Sequence, residues 1–226
     1  MKIIGHRGAA SLAPENTISS IKKAIEVGVD GLEFDIRLTK DRRVVLCHDA
    51  ELGRVSGDLR DVSQLNWDEL KKIILRGDEH VPLLEDVLKI VGTTPVIIEI
   101  KDKQMVRLLL EVLDRFPHLK VTVASFKHDE IALLKQLRPH LPAYIASQAS
   151  PFEIMQKARI IGADGVDISF WLLNPFTYWF ARHLNLDLMV YTVDHLWLGL
   201  YMRVFYPKVL LTTNVPQKMQ HLRSKH

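Results

Sequence analysis

Short apolar runs alternate with segments of helical periodicity along the whole of this 226-residue chain, with no Ser/Gly/Pro-rich linker, low-complexity tract or local repeat between them. A strand of a parallel sheet is buried on both faces, so it reads as a brief apolar run rather than a polar–apolar alternation. Eight such runs stand at 3–5, 31–36, 96–100, 121–124, 143–146, 165–168, 188–192 and 209–211. Between them lie helical stripes such as Ile18, Ile21 and Ile25, then Val106, Leu109, Leu110 and Leu113, then Ile131, Leu134 and Leu137. Helix starts agree: Ser150-Pro151 and Asn174-Pro175 each put a capping residue ahead of Pro, and Glu153 can complete a capping box. Eight βα units predict an α/β protein, a (β/α)8 barrel. With 47% hydrophobic residues the chain can fill one sizeable core, so a single domain over 1–226 is expected, a little short for an eight-stranded barrel.

A ninth apolar run, 43–47, follows the second strand after a short polar turn at 40–42. A parallel crossover needs about a dozen residues or more, so this run is expected to return antiparallel, as a hairpin. Glu33, Asp35 and His48 could then meet at one rim. Residues 49–80 are polar and turn-rich, with one helix started by Asn66 and Glu69 and carrying Leu70, Ile73 and Ile74 inward. This segment reads as an insertion capping the barrel mouth.

Two strands carry ionisable residues two apart, Glu33-Phe34-Asp35 and Glu99-Ile100-Lys101, so each pair points to one face. If those faces line the barrel interior, three carboxylates converge where desolvation and mutual repulsion penalise their charge. A bound cation relieves both, and oxygen-only ligands favour a hard ion, Mg2+ or Ca2+, with Mn2+ as a further option, over zinc. Spacing alone leaves open the alternative of ion pairs with Lys or Arg at a strand end. His6-Arg7-Gly8 follows the first strand, and His48-Asp49 ends the hairpin strand, so both imidazoles can reach one mouth. A lone His at a strand end is usually a hydrogen-bonded or solvated side chain, but two beside a carboxylate cluster supply an acid and a base. With Arg7, Lys101 and a metal, this inventory suits cleavage of a phosphodiester.

The segment HRGAASLAPENT, His6 to Thr17, resembles the HRG…PENT signature of glycerophosphodiester phosphodiesterases. The resemblance continues in the family's order through Glu33-Phe34-Asp35, His48-Asp49, Val81-Pro82-Leu83-Leu84-Glu85, Glu99-Ile100-Lys101 and Ser125-Phe126. It implies a barrel whose metal is held at Glu33, Asp35 and Glu99, with His6 and His48 as general acid and base and Arg7 and Lys101 at phosphate-binding positions. The implied substrate is a small glycerophosphodiester, cleaved to glycerol 3-phosphate and an alcohol. Asn16 and Glu15 match the motif too, but Pro14-Glu15-Asn16-Thr17 also reads as a helix start, and Glu15 is given a supporting role at most. Toward the C-terminus the match weakens. Tyr191-Thr192-Val193-Asp194 resembles the family's W-T-V-N, and the family's later T-D-x-P becomes Thr213-Asn214-Val215-Pro216, its Asp replaced by Asn214.

The 30 basic and 27 acidic residues nearly cancel, so charge does not indicate nucleic acid. The single Cys47 makes no intrachain disulfide and, in an apolar run, reads as an inert buried thiol, which fits the cytosol. No apolar stretch approaches the roughly 20 residues that span a bilayer, and MKIIGHRG lacks a signal-peptide core, so an unprocessed soluble protein is expected. The run 197–206 is too apolar around its circumference for one buried stripe, and packing of part of this surface on Phe176, Tyr178, Trp179 and Phe180 is the favoured expectation. A homodimer interface through 176–206 or a lipid-facing surface is the alternative. Two other functions remain in play: a lysophospholipase D on the same scaffold, with apolar walls for an acyl chain, and a non-catalytic phosphodiester-binding barrel.

Overall fold

A computed structural model of the chain describes residues 1–223. Its strands are β1 (Lys2–Gly5), β2 (Gly31–Leu38), β3 (Val44–Leu46), β4 (Val96–Ile100), β5 (Val121–Ser125), β6 (Ala143–Ser147), β7 (Gly165–Ser169), β8 (Asp187–Tyr191) and β9 (Leu210–Thr213). The helices are α1 (Ile18–Val27), α2 (Gly53–Ser56), α3 (Trp67–Leu70), α4 (Leu84–Leu88), α5 (Val106–Leu113), α6 (His128–Leu137), α7 (Pro151–Ile161), α8 (Pro175–His183), α9 (Leu196–Phe205) and α10 (Pro216–Met219). All strands but β3 pair in parallel, in the order β1-β9-β8-β7-β6-β5-β4-β2, and β1–β2 pairing closes the (β/α)8 barrel.

Alternation along each strand divides the apolar residues between two cores. Phe34, Ile36, Ile98, Ile100, Val166 and Ile168 face outward into the large cluster shared with the helices. Ile4, Ile97, Ala124, Tyr144 and Met189 form a separate plug inside the barrel. Toward the C-terminal rim the inward positions include the buried polar residues Glu33, Asp35, Glu99, Asp167 and Thr212. A parallel barrel presents this end of its strands as a mouth, because every βα loop leaves from it.

The hairpin is present as expected. β1 ends at Gly5, opposite Leu32, and β3 takes up the edge that β1 leaves, pairing antiparallel with Ile36 to Leu38 while β4 holds the other edge. Cys47 N–H then donates to Asp35 O at 3.1 Å, which sets His48 beside the carboxylate cluster. Cys47 itself is buried, and desolvation pushes its thiol up to about 12, which disfavours the reactive thiolate. Residues between β3 and β4 form a small core of their own, with Val45, Cys47, Leu52, Val62, Leu65, Leu70, Leu75 and Val81.

Two local expectations need correction, and a third is met only in part. Asn66 and Glu69 do form a reciprocal capping box at α3, and Leu70 is buried, but Ile74 is exposed because α3 ends at Leu70 and no longer sets its direction. Pro151 does begin α7, yet neither a Ser150 cap bond nor a Glu153 capping box forms there. The run 197–206 does not fold its apolar circumference away. Trp197, Val204 and Phe205 of α9 stay exposed at 68%, 71% and 58%, as do Phe176 and Trp179 of α8. Part of the surface does pack on α8: Tyr206, directly after α9, lies against Tyr178 with ring centroids 5.3 Å apart. Among the described residues, no helix is long and apolar enough to cross a membrane.

Candidate active site

Gly8 lets the chain turn sharply out of β1. Its φ is +85°, and a Cβ there would lie 2.6 Å from the Ser20 backbone. The preceding Arg7 is also left-handed, at φ 53°, and this kink turns its N–H to Glu33 Oε2 at 3.0 Å. The guanidinium reaches Glu15 Oε1 at 2.8 Å and brings Nε within 3.3 Å of Asp35 Oδ2. Asn16, buried and left-handed at φ 55°, clasps Asp35: its Nδ2 donates to Oδ2 at 2.9 Å while its Oδ1 accepts the Asp35 N–H at 3.2 Å. Thr17 and Ser20 form the capping box that starts α1 directly after it.

Glu33, Asp35 and Glu99 offer carboxylate oxygens that all lie within 4.8 Å of one another. Three negative charges in so small a buried volume cannot coexist without compensation. Burial, followed by the charges of Asp35 and Glu99, raises the Glu33 pKa well above its usual value. Burial and then Asp35 raise Glu99 to about 7. Burial opposes ionisation of Asp35 as well, but Lys101 and Arg7 outweigh it and hold this carboxyl far below the usual range. Lys101 Nζ stands 2.9 Å from Asp35 Oδ1 and 2.6 Å from Glu99 Oε1. Glu33 Oε1 is buried with no hydrogen-bond partner among the described residues. This donor set, oxygen-only, crowded and under-neutralised, fits a hard divalent cation held by Glu33, Asp35 and Glu99.

The two imidazoles flank that cluster. His6 Nε2 lies 3.9 Å from Glu33 Oε2, and its Nδ1 is 2.7 Å from Asn214 Oδ1. Burial, then the nearby Arg7 charge, lowers its pKa to about 4, so the ring is neutral near pH 7. His48 Nδ1 is 2.7 Å from Asp49 Oδ1, and Arg54 Nε donates to the other Asp49 oxygen at 2.6 Å. Burial is also the leading cause that lowers the His48 pKa. Arg54 extends as well to both oxygens of Glu15, at 2.7 Å each, tying the segment after β3 to the loop after β1.

These groups meet at a cavity of about 280 Å³ at the C-terminal mouth, lined by His6, Arg7, Glu33, His48, Glu99 and Lys101. Phe126 and Tyr191 supply its apolar wall, their ring centroids 6.2 Å apart, and Gln148, Asp167 and Thr212 add polar groups. A larger cavity of about 410 Å³ opens at the opposite end of the barrel. Its carboxylates are already engaged, Asp30 by Arg223 and Asp187 by Tyr144, and it gathers no comparable cluster.

All seven residues singled out from sequence, His6, Arg7, Glu33, Asp35, His48, Glu99 and Lys101, thus share one mouth. Several neighbours were given too little weight. Asn16 grips a central carboxylate, Glu15 joins two arginines, Asp49 and Asn214 each contact an imidazole, and Asp194 bonds Asn214. Asp167 was missed although it stands as a lone acid at an inward position of β7, between the outward Val166 and Ile168. Burial, then the charge of Glu99, raises its pKa well above normal.

Comparison with known proteins places the chain beside others of this architecture. Residues 6–207 match the model of the "Glycerophosphoryl diester phosphodiesterase family". The uncharacterized protein YqiK of Bacillus subtilis is 37% identical over 179 residues, covering 73% of this chain and 74% of its own. A glycerophosphodiester phosphodiesterase of Caldanaerobacter subterraneus is 28% identical over 207 residues, covering 85% of each chain. An Oleispira antarctica phosphodiesterase, solved in complex with the product sn-glycerol-3-phosphate, superposes with a TM-score of 0.92 at 20% identity, covering 98% of this chain and 96% of that one.

Proposed function

The chain belongs to the glycerophosphoryl diester phosphodiesterase family, and from that premise we propose that it hydrolyses glycerophosphodiesters to glycerol 3-phosphate and an alcohol, assisted by one Mg2+ or Ca2+. The observation that carries this reading is the crowding of three buried carboxylates beside two imidazoles and two side-chain cations at one mouth. Glu33, Asp35 and Glu99 would hold the cation, which when bound supplies Lewis acidity toward a phosphoryl oxygen and an attacking hydroxyl. Arg7 and Lys101 balance charge on the phosphodiester and orient it. Residues 49–80 lie over the mouth in this reading, with Arg54 as their tie.

The imidazoles move the protons. One Nε2 removes the proton of the glycerol 2-hydroxyl, whose oxygen attacks phosphorus while the bond to the second alcohol breaks. The other imidazole, which enters this step as imidazolium, gives its Nε2 proton to that departing oxygen and is left neutral. The intramolecular course gains a large effective molarity over external water and leaves a cyclic 1,2-phosphate. Water then opens the ring with the two imidazoles in exchanged roles, giving glycerol 3-phosphate.

Turnover of several glycerophosphodiesters, with lysophosphatidylcholine and a 2-deoxy analogue alongside, tests the reading in EDTA and after adding back Mg2+ or Ca2+. The expected result is loss in chelator, recovery with metal and very slow reaction of the 2-deoxy compound. Full activity in EDTA would overturn the metal. Ordinary turnover of the 2-deoxy compound would replace the cyclic course by direct attack of water. Preference for lysophosphatidylcholine would make the enzyme a lysophospholipase D.

A further inference from the structure

His6 makes its second contact at the far end of the chain. Its Nδ1 lies 2.7 Å from Oδ1 of Asn214, which follows β9, and Asn214 is in turn gripped by Asp194, which follows β8. The Asp194 carboxylate takes donors on both oxygens. Oδ1 accepts the Asn214 backbone N–H at 2.8 Å and the Thr213 hydroxyl at 3.1 Å, and Oδ2 accepts Asn214 Nδ2 at 2.7 Å.

An ionised carboxylate only accepts, and the two ends of an amide are fixed as donor and acceptor. Asp194 therefore dictates which way round the Asn214 amide stands, with Nδ2 toward the carboxylate and Oδ1 toward the imidazole. A carbonyl oxygen facing Nδ1 at 2.7 Å requires that this nitrogen carry the hydrogen. The other nitrogen, Nε2, is left bare on the side of Glu33. His48 is oriented toward the same end by a shorter route, with Asp49 directly on its Nδ1.

We propose that Asp194 and Asn214 are positioning residues that lock neutral His6 in its Nδ1–H form, so that Nε2 is the nitrogen that exchanges protons in the cavity. The inference rests on the phosphodiesterase reading for its catalytic consequence, although the lock itself is a property of the folded protein. It also gives a physical meaning to the exchanged residue types in the Y-T-V-D and T-N-V-P segments. One carboxylate and one amide remain, in reversed order, and either order can pass a hydrogen-bond polarity that ends on an acceptor for His6. In this chain the group touching the imidazole is the amide.

The test is an isosteric swap in the metal-loaded protein. Asp194→Asn opposes two amides, frees Asn214 to turn its Nδ2 toward His6, and should move the ring to the Nε2–H form. We expect kcat to fall about 100-fold or more, as for a wrong tautomer, with KM little changed because neither residue touches substrate. Asn214→Asp alone sets two carboxylates against each other and should also be impaired. The double variant Asp194→Asn/Asn214→Asp restores an acceptor at Nδ1 and should recover most of the activity, a coupling that a purely structural pair would not show. Proton–nitrogen NMR of the His6 ring should report Nδ1–H in the starting protein and the double variant, and Nε2–H in Asp194→Asn. If Asp194→Asn does not fold, Asn214→Ala, which keeps the backbone bond to Asp194, should release the tautomer in the same spectrum. An Nε2–H ring in the starting protein, or unchanged kcat and tautomer in Asp194→Asn, would overturn the proposal. The spectrum decides the lock even if no glycerophosphodiester is turned over, so the two readings fail separately.

Discussion

His6 and His48 differ in what they touch but not in how they are aimed, since each has Nδ1 engaged and leaves Nε2 for the cavity. Replacing either with Ala should therefore lower kcat at least ~100-fold, the scale of a lost general acid or base, while circular dichroism and melting temperature stay close to those of the parent. The carboxylates make a prediction of stability rather than rate. In metal-free protein Glu99 is raised from an ordinary value of 4.5 to about 7, so between those limits the folded form holds a proton that the unfolded form has released. Its contribution is favourable below that window and is lost as pH rises through it. Asp35 works in the opposite sense, but its contribution is complete above the ordinary aspartate pKa of 3.8. His6, lowered to about 4, works against Glu99 across much of this window, and Glu33 and Asp167 add to it. The Glu99 share is therefore read as the stability difference between parent and Glu99→Gln in urea titrations in EDTA, which should fall from about pH 4.5 to 7. Glu33, Asp35, Glu99 and Lys101 were legible because strand alternation makes a two-residue spacing a statement about direction, and His6, Arg7 and His48 because they directly follow strands that end at one rim. Asn214 was not, because its partner His6 lies 208 positions away and only a closed barrel brings the two together.

Among the elements, the strands were legible in the sequence to within a residue or two, including the hairpin, whose short turn left no room for a parallel crossover. The segment after β3 was less legible: its helical turns are three to four residues long, so their periodicity is too brief to assign a face, and Ile74 was placed inward in error. The loop between β1 and α1 offers a sharper test. Gly8→Ala adds a Cβ 2.6 Å from Ser20 at a φ of +85°, so it suffers both collision and strain. We expect a loss of more than about 1 kcal/mol in chemical denaturation. Turnover should fall with it, since the same loop carries His6 and Arg7.

For the whole molecule, β1 pairs with both β9 and β2 and so closes the ring, and the barrel interior is divided into an apolar plug below and a charged layer above. Chelation and reloading should shift the stability of this ring as a unit. At a metal concentration 100 times its Kd the gain is about 2.7 kcal/mol, visible as a higher melting temperature that Glu33→Gln abolishes. What sequence could not convey is how far α8 and α9 leave their aromatic side chains uncovered. Periodicity identifies an apolar surface but not whether a neighbour reaches it. The small separate core beneath residues 49–80 carries a further consequence, in time rather than in space. A cluster of that size can open on its own, on a route to solvent that leaves the barrel's main core closed. Asp49 and Arg54, and with them the orientation of His48, would be carried off while Glu33, Asp35 and Glu99 stayed in place. Warming should then silence the enzyme several degrees before the barrel melts, reversibly. Amide exchange should be fast across 49–80 and slow in β4 to β8 at the temperature where activity is lost. Coincident loss of activity and barrel structure would show instead that this segment and the barrel open as one.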